Sequence, residues 1–130
     1  MSATATANPA PGFARKPDHV VAFRPAGKRV TVRLGGEVIA ESDKAVLCED
    51  AGHGPVHYLP MSDTRANLFR PTATRSYCPF KGEASYWSIS AGGVDGTDVA
   101  WSYDLPYDEA MPIRGHVAFY PNRVDSIDVA

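Results

Sequence analysis

The chain has 130 residues, 44% of them hydrophobic and 22% charged, enough for one soluble domain with one main core. Its formal net charge of −2 excludes a general electrostatic nucleic-acid binder, and no segment approaches the ~20 apolar residues of a membrane helix. Eleven prolines and eleven glycines exclude a helical bundle and favour a turn-rich, strand-dominated chain.

Residues 1–18 are rich in Ala, Thr and Pro, bury little, and predict a flexible arm ahead of a β-rich domain over 19–130. No signal-peptide pattern occurs there, so the expected setting is cytoplasmic with reduced thiols at Cys48 and Cys78. His19–Phe23 reads as a short strand. Arg29–Leu34 alternates, with Val30, Val32 and Leu34 on one face and Arg29, Thr31 and Arg33 on the other. The cations Arg15, Lys16, Arg24, Lys28, Arg29 and Arg33 crowd this front part, with the solvated look of charges leaving an edge strand.

Gly35-Gly36 is a hairpin turn, since glycine accepts positive φ at both centres. Val38–Ala40 and Ala45–Cys48 continue the sheet, and Glu49–Pro55 is a loop. Val56–Leu59 is a strand. Ser62–Leu68 opens with an N-cap residue and an acid in the first turn, which predicts a short helix. Pro71 onward reads as loop until a strong strand over Ala84–Ser90. Ala91–Gly96 repeats the double-glycine turn. Val99–Tyr103 and His116–Tyr120 are strands separated by a Pro-flanked turn, and Val124–Val129 is a last edge strand.

Alternation places Trp87 and Ile89 opposite Tyr86, Ser88 and Ser90. It aligns Val99, Trp101 and Tyr103, and it sets Val117 and Phe119 opposite His116, Ala118 and Tyr120. The first reading is that these aromatics are core. The sharper one is a concave aromatic face with His116 and Tyr120 at its rim.

The chemical motifs are sparse. Cys48, His53, His57 and Cys78 do not follow zinc-ligand spacing, and no Cys-x-x-Cys occurs, so no metal is expected. Phe80-Lys81-Gly82 reverses the order of a phosphate loop, and no Gly-x-Gly-x-x-Gly opens a helix, so no cofactor is expected either. Asp104 and Asp108-Glu109 lie in a Pro-flanked segment that reads as solvated.

Cys78 lies near Arg75 and Lys81, which favours a thiolate, but a cysteine ahead of Pro79 reads first as a small packed hydrophobe. Lys81, between Pro79 and Gly82 at the entry to a central strand, is placed to meet an anion. The catalytic candidates are therefore Lys81, Cys78 and His116. The ligand-binding candidates are Tyr58, Arg65, Arg75, Lys81, Trp101, Tyr103, His116 and Tyr120. No residue pattern assigns a reaction, nor an enzyme over a non-enzymatic interaction module. The expected partner is a small polar or anionic molecule, without nucleic acid or membrane, bound by a monomer or small homo-oligomer.

Thr74-Arg75-Ser76-Tyr77-Cys78-Pro79-Phe80-Lys81-Gly82-Glu83-Ala84-Ser85-Tyr86-Trp87-Ser88 resembles the signature of a bacterial and fungal family known as domain of unknown function 427. So do Val56–Pro60, Ala100–Tyr103, Pro106, Ile113 and Gly115–Tyr120, in the family's order, over about His19 to Val129. The resemblance implies a mostly β, β-tent-like fold similar to methionine sulfoxide reductase B and the cereblon ligand-binding domain, without their paired-cysteine zinc site. It also carries the label nucleotidyltransferase, which no motif in this chain supports independently.

Overall fold

A computed structural model describes residues 7–130. Ten strands form two antiparallel sheets: β1 (Val21–Pro25), β2 (Val30–Leu34), β3 (Glu37–Ser42), β4 (Val46–Asp50), β5 (Val56–Pro60), β6 (Phe69–Cys78), β7 (Gly82–Ala91), β8 (Val94–Ser102), β9 (His116–Phe119) and β10 (Ser126–Val129). Seven strands run β1-β4-β5-β9-β8-β7-β6, and three run β10-β2-β3. The chain is mostly β.

Period-two alternation decides where the cores sit. Val30, Val32 and Leu34 of β2 and Ile39 of β3 face Leu59, Ile89, Val117 and Phe119 of the large sheet, and all are buried. The intervening residues of the large sheet point to its other side. There Cys48, Tyr58, Ala84, Tyr103 and Ala118 make a second buried cluster. A 3₁₀ segment at Asp108–Ile113 covers part of that side and buries Ala110 and Ile113.

The two double-glycine hairpins pack against each other. A Cβ on Gly92 would stand 1.8 Å from the Gly35 carbonyl oxygen, and one on Gly35 would stand 2.1 Å from that of Ala91. Both residues also have positive φ. Glycine is required at this crossing for space as well as for the turns.

Four expectations change. The helix over Ser62–Leu68 is two 3₁₀ turns, Met61–Asp63 and Ala66–Leu68, separated by extended Thr64; the Arg65 N–H bonds back to the Ile39 carbonyl at 2.8 Å. Tertiary hydrogen bonding to β3 outcompetes local helix propensity.

The stretch from Pro71 to Cys78, read as loop, belongs to strand β6. It is an edge strand, exposed along most of its length, so it carries no apolar alternation to read. Val99 does not share a face with Trp101 and Tyr103, because it joins the inter-sheet core with Ala100. The β7–β8 register shifts between Trp87 and Ile89, with Asp98 at positive φ inside the irregularity, and this interrupts simple alternation.

The arm over residues 1–18 is amended in its second half; residues 1–6 lie outside the described residues. Helix α1 (Gly12–Arg15) docks on the Pro79-Phe80 turn, where the Gly12 N–H donates to the Pro79 carbonyl at 2.9 Å. Asn8 exchanges hydrogen bonds with Asp108, the Ala10 N–H donates to Glu109, and Ala10 is buried. Composition does not show these contacts, because backbone groups make most of them.

Candidate functional site

The second side of the large sheet opens into a cavity of about 480 Å³. β4 contributes Cys48 and Asp50, which alternate onto one face two residues apart. β5 contributes Val56 and Tyr58, β7 Tyr86, and β8 Trp101, with Tyr103 and Tyr120 just past strand ends. The turn Cys78-Pro79-Phe80-Lys81, closed by the Lys81 N–H to the Cys78 carbonyl, supplies one wall.

At the cavity wall the Lys81 ammonium donates to Asp50 Oδ2 at 2.9 Å, and the two side chains are only 8% and 13% exposed. The other oxygen, Asp50 Oδ1, lies 2.6 Å from His19 Nε2. A carboxylate only accepts, so the imidazole carries its proton on Nε2 in this pair. The His19 ring stacks on Phe80 with centroids 4.2 Å apart. His53 stands nearby, with Nδ1 3.7 Å from Asp50 Oδ1.

The electrostatics follow from burial and pairing. Burial drives the Asp50 carboxyl upward, but hydrogen bonds and charge from Lys81 and His19 outweigh it and leave the group below its ordinary range. Burial drives Lys81 down, and the Asp50 hydrogen bond with neighbouring anionic forms returns it above its ordinary value. Each ion therefore sustains the other's charge away from bulk water. Burial pushes the Cys48 thiol up, opposed in part by Lys81, so Cys48 stays a thiol.

The aromatic wall is a network. Trp101 Nε1 donates to the Tyr58 hydroxyl at 3.3 Å, and Trp101 packs on Tyr120 with centroids 4.4 Å apart. Tyr120 stacks on Tyr86, and Arg123 sits over the Tyr120 ring at 4.4 Å. Burial and the Tyr86 hydrogen bond push the Tyr120 hydroxyl up to about 12. Burial also raises Tyr58 and Tyr103. Tyr58, Tyr103 and Tyr120 are therefore neutral at physiological pH.

Of the residues singled out in the sequence, Tyr58, Cys78, Lys81, Trp101, Tyr103 and Tyr120 line this cavity. Arg65, Arg75 and His116 do not. Arg65 pairs with Glu37 at 3.1 Å, beside β3. Arg75 folds onto the Thr72 and Thr74 carbonyls of its own edge strand. His116 Nδ1 pairs with the Arg114 carbonyl at 2.8 Å, whereas Lys81 pairs with Asp50, which in turn bonds His19.

Sequence reasoning missed Asp50 and His19. Extending the β4 alternation two residues past Cys48 points to Asp50; nothing local points to His19, which reaches it across 31 positions. Among the described residues no three His, Cys, Asp or Glu side chains come together as a metal site. No helix among them is long and apolar enough to cross a membrane.

With this geometry in place, the comparisons with known proteins give the family. The sequence model described as domain of unknown function (DUF427) matches residues 22–130. The chain belongs to that family. Comparison with curated proteins finds no match. The matched span contains every strand from β2 to β10, nearly all of β1, and both Asp50 and Lys81, whereas His19 precedes it.

Proposed function

We propose that this protein binds a small polar ligand bearing a carboxylate or phosphate, held in the cavity between the aromatic wall and the Lys81 turn. One observation carries the reading: a nearly buried ammonium lines the cavity with hydrogen-bonding capacity to spare. Among the described residues Lys81 Nζ has a single protein acceptor, Asp50, for its three N–H bonds.

Lys81 belongs to the cavity lining and keeps 8% of its side chain exposed, so the ammonium is not sealed from the open space. Tyr103, whose hydroxyl has no side-chain or backbone partner among the described residues, adds a second unused donor to the same lining. Trp101 and Tyr120 offer π-faces for a flat group. An apolar wall with a few convergent polar groups is the usual make-up of a small-molecule site.

The nucleotidyl-transfer label has less behind it. Asp50 is the one carboxylate in the lining, and Lys81 and His19 already occupy its oxygens. The test is a thermal-shift screen of small carboxylates, phosphate esters and nucleoside triphosphates with magnesium, repeated on Lys81→Met. Stabilisation by simple carboxylates or phosphate esters that Lys81→Met abolishes supports the reading. Stabilisation by nucleoside triphosphates alone would replace it with the nucleotide reading, and no stabilisation at millimolar concentrations would refute it.

A further inference from the structure

The cavity lining carries two lysines, Lys16 and Lys81, against one carboxylate, Asp50. Lys81 and Asp50 lie 2.9 Å apart and cancel. Lys16 is exposed and has no carboxylate within 4.0 Å among the described residues; Asp18, its near neighbour in sequence, is not part of the lining. The uncompensated positive charge at the cavity is therefore that of Lys16.

The segment that brings it there is fixed. It is anchored at Asn8 by Asp108, at Ala10 by Glu109, at Gly12 by the Pro79 carbonyl and at His19 by Asp50. Phe13 packs edge-on against Phe80 at 4.9 Å, the same ring that stacks on His19. A side chain at Gly12 would meet the Phe80 ring at 2.7 Å, so the approach is as close as glycine permits. All of this segment lies ahead of the family-matched span that begins at residue 22.

We propose that Lys16, carried by the docked segment 8–19, is the specificity-determining residue that selects the ligand's anionic group. Lys81, Asp50 and His19 form a charge-balanced wall that supplies hydrogen bonds and shape. The ligand class is a small ring compound with one carboxylate or phosphate: its anion meets Lys16 at the rim and its ring lies toward Trp101 and Tyr120. This rests on the cavity being a ligand site.

Phenyl phosphate, benzoate and neutral benzamide, titrated by NMR into wild type, Lys16→Gln and the double variant Asp50→Asn/Lys81→Met, test it. Wild type is expected to prefer the two anions over benzamide. Lys16→Gln should weaken both anions about fivefold, as an exposed ion pair contributes, and flatten their salt dependence, with benzamide binding and the melting temperature unchanged. The double variant removes both charges of the wall and leaves that of Lys16, so it should weaken all three probes alike.

Equal anion binding by Lys16→Gln and wild type overturns the role of Lys16 while leaving the ligand site standing. So does loss of the anion preference in Asp50→Asn/Lys81→Met while Lys16→Gln keeps it. No binding of any probe to wild type at millimolar concentration overturns the site and this inference together.

Discussion

Asp50→Asn isolates the energetics of the cavity wall. The substitution keeps the side chain's shape and one acceptor oxygen but leaves the Lys81 ammonium, 8% exposed, without an opposing charge. Removing one partner of a buried ion pair costs about 3–5 kcal/mol. Because the pair borders an open cavity, water relieves part of this, and about 2–3 kcal/mol is expected. For 130 residues the unfolding entropy is about 0.27 kcal/mol/K, so the melting temperature should fall by roughly 7–11 °C at pH 7.

The pH dependence sharpens the test. In wild type the folded-state pKa of Asp50 is depressed, so its contribution is present above the unfolded carboxylate pKa and is lost as pH falls through the folded value. The folded-state pKa of Lys81 is raised, so its contribution is present below the ordinary value of 10.5 and is lost as pH rises through the folded one. Asp50→Asn removes the hydrogen bond and the charge by which Asp50 raises Lys81, so the folded pKa of Lys81 falls relative to wild type, and the deficit should shrink as pH rises into the range where Lys81 loses its proton.

Calorimetric melts of wild type, Asp50→Asn, Lys81→Met and the double variant between pH 6 and 10 measure this, and the double variant should be more stable than Asp50→Asn alone. A melting temperature for Asp50→Asn within 2 °C of wild type at pH 7 would refute the reasoning, since it would mean that solvent already neutralises the Lys81 charge.

Three further outcomes follow from other parts of the fold. Gly92→Ala drives a Cβ into the Gly35 carbonyl and strains a positive φ, and should cost at least ~3 kcal/mol by chemical denaturation. Gly12→Ala forces α1 off Phe80, so trypsin should cleave after Arg15 several-fold faster while the melting temperature of the sheets changes by only about 2 °C. Iodoacetamide should label Cys78, half-buried at the cavity, well before Cys48, which is 2% exposed with its thiol pKa raised by burial; peptide mass spectrometry reads the order.

Strand alternation carried much of the fold in advance. Val30, Val32 and Leu34 facing inward, Trp87 and Ile89 opposite Tyr86, and Val117 and Phe119 opposite Ala118 are all visible as period-two patterns, because burying one face of a sheet forces that period. The double-glycine turns are legible for a similar reason: positive φ narrows the choice of residue. Edge strand β6 was not legible, since a strand exposed on both faces is held by hydrogen bonds that any side chain permits.

The strand pattern and the turn that carries Lys81 into β7 were legible in the chain because local periodicity and backbone chemistry encode them. Tertiary structure decided what that lysine faces. Asp50 and His19 each lie 31 positions from their partner, and Lys16 comes from a segment that is polar and featureless when read alone. Charge pairing depends on distances across strands β1, β4 and β7 and the turn before β7. No local pattern encodes those distances, so the charge balance of the cavity exists only in the folded chain.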